Sequence, residues 1–126
     1  MTKNVENTET LAREAWQAAL DDVTKIHEGN GATVEVVDRD FGDQVEATEI
    51  LPLTYVEYDR KDDVVVIAVG GRTARFPVVL RHIIEHPQQI FIYPPRPAPT
   101  ESIYVTDRDG MQTIVTLHAR PELPGK

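Results

Sequence analysis

Six consecutive residues from Val64 to Val69, Val-Val-Val-Ile-Ala-Val, carry no polar side chain. No other stretch limits the possible folds of this chain so tightly. Valine and isoleucine are stiff at χ1 and favour a pleated backbone over a helix. A strand that is apolar on both faces has to be covered on both, so the run is predicted to be the central strand. Asp62 and Asp63 mark its start. Gly70 and Gly71 mark its end as a turn that takes positive φ without steric cost.

The first candidate cover is a helix. Leu11, Ala15, Trp16, Ala19, Leu20, Val23 and Ile26 recur at three- and four-residue spacing, with Thr10 or Thr8 available as a cap and Gly29 as a stop. Glu14, Asp21 and Asp22 take the opposite face, so this is an amphipathic helix anchored by Trp16. After Gly31 the period becomes two. Val34 and Val36 share a face, Arg39 to Gly42 form a loop, and Gln44 to Leu51 return. Pro52 is placed at a bend before the next strand, Leu53 to Tyr58. Thr73 to Phe76 can pair back along the central run. Val78, Val79, Leu80, Ile83 and Ile84 suit one or two helical turns that Pro87 ends. Ile90 to Tyr93 read as a strand, and Pro94 to Pro99 as a stiff extended linker. Ser102 to Asp107 and Gln112 to His118 form a hairpin around Asp109-Gly110.

These elements predict an α+β domain in which the N-terminal helix packs on a strongly bent, mostly antiparallel sheet or small β-barrel of seven to eight short strands. The flatter alternative is an α+β sandwich. The chain has 126 residues, enough for one domain that buries roughly two thirds of its unfolded surface. The domain is expected over 10–118, between a mobile start (1–9) and a mobile tail (119–126).

With no cysteine in the chain, neither a disulfide frame nor a thiolate metal site is available. No apolar run approaches the roughly 20 residues of a membrane span, and the start lacks the pattern of a secretory signal. A cytoplasmic protein is therefore expected. The net charge of −8 argues against nucleic acid, which requires clustered cations. The charge is uneven. Residues 1–69 hold six basic and sixteen acidic side chains, whereas 70–99 hold four arginines and one glutamate.

That basic segment brings Arg72, Arg75, Arg81 and His82 near the Gly-Gly turn, where they could hold a small anion or nucleotide. The competing reading is that the arginines are solvated or pair with the chain's own surplus of carboxylates. His82-Ile83-Ile84-Glu85-His86 matches the H-x-x-E-H pattern of inverted zinc peptidases. Those enzymes carry it on a long helix and add a third ligand, and Pro87 cuts any helix short here. No metal is expected, and in the absence of a dinucleotide fingerprint or P-loop no cofactor is expected either. Pro94 and Pro97 have PxxP spacing, which serves more simply as a rigid connector. His27 beside Glu28 is read as a contact with a helix C-terminus.

Trp16 in a first helix, Glu28-Gly29, Thr33 to Val37, Gly42 to Ala47 and Leu51-Pro52-Leu53 resemble a bacterial family of small proteins, the domain of unknown function numbered fifty-three thirty-five. Gly70, His82 with Ile84 and Pro87, and Asp109-Gly110 fit its later part, so the likeness runs from Thr10 to about Leu117. It implies a compact single domain with no known activity and no catalytic residues to carry over. The family pattern has a histidine near His82 and a proline near Pro87, but lacks the Glu85-His86 pair. A non-enzymatic module that binds a protein partner or another copy of itself is the function expected from the sequence, with anion or nucleotide binding by residues 70–96 as the alternative.

Overall fold

The computed structural model describes residues 9–38, 43–47, 50–71, 79–94 and 100–118. A short 3-10 turn (Arg13–Ala15) leads into one helix, α1 (Trp16–His27). The strands are β1 (Glu9–Thr10), β2 (Gly31–Asp38), β3 (Asp43–Ala47), β4 (Leu51–Asp59), β5 (Val64–Gly70), β6 (Val79–Glu85), β7 (Pro87–Tyr93), β8 (Glu101–Asp107) and β9 (Met111–Leu117). They form one sheet in the order β1-β7-β8-β9-β2-β4-β5-β6, with β3 on β2. Every pairing is antiparallel. The sheet is strongly bent and not closed, so the fold is the expected α+β arrangement in its open form.

Two places make the bend. At the first, β2 and β4 share only the pairs Gly31↔Pro52 and Ala32↔Leu51, and from Leu53 onward β4 pairs with β5 instead. Pro52 thus lies inside β4 and marks the change of partner, where its missing N–H costs the ladder least. At the second, β6 runs directly into β7 through His86, whose φ is +53°. A left-handed residue followed by a proline ends pairing with β5, and the chain then pairs with β8.

The predicted helical turns after Pro77 are not formed, because Val79–Glu85 is strand β6. Ile83 and Ile84 are β-branched, and β5 offers a complete ladder from Val64↔Glu85 to Gly70↔Val79. Pairing with a neighbour outweighs the weak local helical spacing. The apolar run itself is β5. It lies between β4 and β6, one place from the end of the order rather than at its centre. Val65, Ile67 and Val69 face the core, while on the outer face Ala68 is fully buried and Val64 and Val66 are half-buried. Full cover on both faces is therefore not required by this run.

Trp16, Leu20, Val23 and His27 form the buried stripe of α1. Ile26 is turned about 100° away from that stripe and is exposed. Thr10 does not cap the helix but pairs with Phe91 in β1. Leu11 N–H donates to Ile90 O at 2.8 Å, which holds the chain on β7 before the helix begins. The helix closes the otherwise unpaired side of β4 through Thr24, whose Oγ1 accepts from Val56 N–H (3.0 Å) and donates to Val56 O (2.8 Å). Buried backbone groups need such partners where no strand supplies them. The β8–β9 hairpin turns at Arg108 to Gly110 as predicted. Arg72, Arg75, the expected strand Thr73 to Phe76, the loop 39–42, Pro97, residues 1–8 of the expected mobile start (1–9) and the expected tail (119–126) lie outside the described residues, while Glu9 pairs with Ile92 in β1. Among the described residues, no helix is long and apolar enough to cross a membrane.

Candidate binding site

Strand β6 ends the sheet, and among the described residues no strand pairs with its second edge. Its alternation decides what it presents. Arg81, Ile83 and Glu85 lie on the outer face opposite Ala68, Val66 and Val64, whereas Leu80, His82 and Ile84 lie on the inner face opposite Val69, Ile67 and Val65. Ile84 is buried, but Leu80 is 51% and Ile83 54% exposed. Each face of the edge strand therefore offers a large apolar side chain to solvent.

Along this edge runs a groove of about 300 Å³. One wall is His82 to His86. The other is the hairpin Asp107 to Asp109, with Val36, Met111 and Thr113 contributed by β2 and β9. The groove exists because β6 departs from the line of β7 at His86 while the hairpin stays with β7. Arg108 N–H donates to His86 O at 3.1 Å at the point where the two diverge.

Of the sequence-predicted site residues, Arg81 and His82 fall among the described residues. Arg81 and His82 are neighbours on a strand and so point to opposite faces. Arg81 Nε donates to the Tyr55 hydroxyl at 3.1 Å, and the two side chains flank Ala68 on the outer face, which accounts for its burial. His82 is in the groove wall. The zinc-peptidase pattern falls on strand rather than helix, so His82 and Glu85 stand ~10 Å apart along the chain on opposite faces. The geometry that gives this pattern its chemistry is absent from β6.

One end of the groove is locked by a polar cluster. Asp63 (φ +55°) and His86 are both left-handed and face each other. His86 N–H donates to Asp63 O at 3.0 Å, and His86 Nδ1 lies 3.4 Å from Asp63 Oδ2. Tyr58 donates its hydroxyl to Asp63 Oδ1 at 2.7 Å, and Arg13 Nη1 approaches the same oxygen at 3.5 Å. Arg13 also stacks over Trp16 at 4.3 Å and donates to Pro87 O at 3.3 Å. The β4–β5 turn, the start of the helix and the β6–β7 bend are fastened together at one carboxylate. Backbone strain of this kind persists only where its surroundings hold it.

The Tyr58 hydrogen bond, helped by His86 and Arg13, holds the Asp63 carboxyl below the usual carboxylate range despite some desolvation. Burial first, and then Asp63, push the Tyr58 phenol above its ordinary value. A depressed acid stabilises the fold above its unfolded pKa, and that contribution disappears as pH falls through the folded value. Between neutral pH and about pH 3, the wild type should therefore lose more stability than Asp63→Asn, in which the asparagine tolerates the left-handed backbone. Urea midpoints at the two pH values measure this. Equal losses in the two proteins would refute the assignment.

A second constellation was not foreseen. His27 is 1% exposed, and its Nε2 lies 2.8 Å from Glu101 Oε1. Its Nδ1 is 3.1 Å from Asn30 Nδ2. An amide nitrogen only donates, so Nδ1 accepts and the ring proton on Nε2 goes to Glu101. With both nitrogens engaged, the imidazole ties the end of α1 to the start of β8 and has no free edge for a ligand. It is therefore no helix-dipole contact. A sequence signal did exist, because Glu101, Ile103 and Val105 share one parity and face the core together. A carboxylate on a core face implies a buried partner.

Comparison with known proteins matches nearly the whole chain. An uncharacterized protein of Aquifex aeolicus (strain VF5) is 32% identical over 117 residues, covering 93% of this chain and 96% of the relative. No solved structure matches. The model of the Family of unknown function (DUF5335) matches residues 7–126, and the chain belongs to that family.

Proposed function

We propose that this is a non-catalytic cytoplasmic module that binds protein by accepting an extended strand on the free edge of β6. The carrying observation is that edge itself, which no strand among the described residues pairs, with Leu80 and Ile83 exposed on its two faces. Main-chain donors and acceptors on an open edge supply affinity, and pockets for alternate side chains supply selectivity. The two histidine constellations support a non-catalytic reading. His27 is enclosed by Glu101 and Asn30, and His86 with Asp63 fastens a turn to a bend. The absence of cysteine from the sequence suits a reducing compartment.

A photoreactive residue in place of Ile83, in cells that express the protein, is expected to give a discrete protein adduct whose crosslinked peptide maps to one segment. The same probe in place of Lys61, in the exposed β4–β5 turn, should give none. No adduct at position 83, or equal adducts at both positions, would refute strand capture at β6.

A further inference from the structure

We infer that the strand accepted by β6 is β6 of a second copy, paired antiparallel about a two-fold axis at Ile83; this rests on the edge-binding reading above. A chain of net charge −8 repels its own copy at a distance, so self-contact has to occur where charge is locally balanced. From Val79 to Glu85 the strand carries one arginine and one glutamate.

Symmetry then restricts the register. A two-fold axis perpendicular to the sheet keeps outer faces outer, so each residue must meet one of its own parity and the axis must pass at a residue. Placed at Arg81, it would set arginine against arginine. At Leu80, His82 or Ile84, neither charge meets its opposite. Only at Ile83 does Arg81 face Glu85 of the second copy, and it does so twice. Ile83 then meets Ile83 of the copy, beside Val66 on the same outer face, and His82 meets Ile84. Cross-strand pairs of opposite charge and of β-branched residues both favour a sheet.

The hairpin bounds the contact. Because Arg108 N–H already donates to His86 O, pairing is confined to Arg81 through Glu85. A contact of five residues per chain is small beside stable interfaces, so the dimer is a dissociating one with a constant near the micromolar range, about 1 to 100 μM.

Light scattering and sedimentation of the purified full chain test this. The wild type should show a concentration-dependent dimer. Ile83→Lys and Arg81→Glu should each raise the dissociation constant at least ~10-fold with unchanged circular dichroism, since both positions are exposed. Arg81→Glu combined with Glu85→Arg should return it to within ~3-fold of wild type. A wild type that stays monomeric up to about 1 mM would overturn the self-pairing, and so would a charge swap that fails to restore it. A monomeric wild type whose position-83 probe still crosslinks a different protein would overturn self-pairing while leaving strand capture at β6 intact.

Discussion

Glu101→Ala is expected to lower stability by about 1 to 3 kcal/mol, the cost of leaving a buried hydrogen-bond donor without its acceptor. The glutamate is 4% and the histidine 1% exposed, so neither regains water when the other is removed. The deletion leaves His27 with a buried donor and nothing to receive it. Urea denaturation at neutral pH measures the loss. The double replacement His27→Leu with Glu101→Leu should recover part of it, because well-packed apolar groups can replace a buried polar pair at little cost. A loss below about 1 kcal/mol for Glu101→Ala would show that the pair is not isolated from solvent.

Trp16→Ala should cost more, about 3 to 5 kcal/mol. The indole is 2% exposed and meets Tyr58 edge to face at a centroid distance of 5.1 Å. Its Nε1–H donates to Leu11 O at 3.2 Å, and Arg13 lies over its ring. Truncation would therefore empty the space between α1 and β4 and release Arg13 from the cluster around Asp63. Thermal unfolding followed by circular dichroism should show a fall in Tm of roughly 10 to 20 °C. Trp16→Phe should cost less, since it keeps the contact with Tyr58 and loses mainly the indole hydrogen bond. As the chain's single tryptophan, Trp16 also reports on its own burial. Its emission in the wild type should be that of a dry indole and shift to the red on unfolding. A water-like emission in the folded protein would contradict its place under the helix.

Periodicity alone was enough to identify the amphipathic helix with its Trp16 anchor, the apolar strand from Val64, the change to period two after Gly31 and the hairpin about Gly110. Each of these depends on residues close in the chain, whose spacing states which face is apolar. The same spacing failed at Val79 to Glu85. There a short apolar run fits one helical turn as well as a strand, and the ladder offered by β5 decided between them.

The candidate site was legible only as a list of residue types. That Arg81 turns to Tyr55 while His82 turns to the groove follows from the strand. That Asp63, Tyr58, Arg13 and His86 share one carboxylate follows from a bend and a turn meeting across the fold. Sequence by itself determined which segments must bury their side chains and that the chain could form one helix-covered antiparallel sheet. Only the tertiary structure decided that the sheet stays open, that β6 is its end, and that His27 is sealed against Glu101. Those outcomes depend on contacts between residues many positions apart, whose loop-closure cost and packing no local pattern encodes.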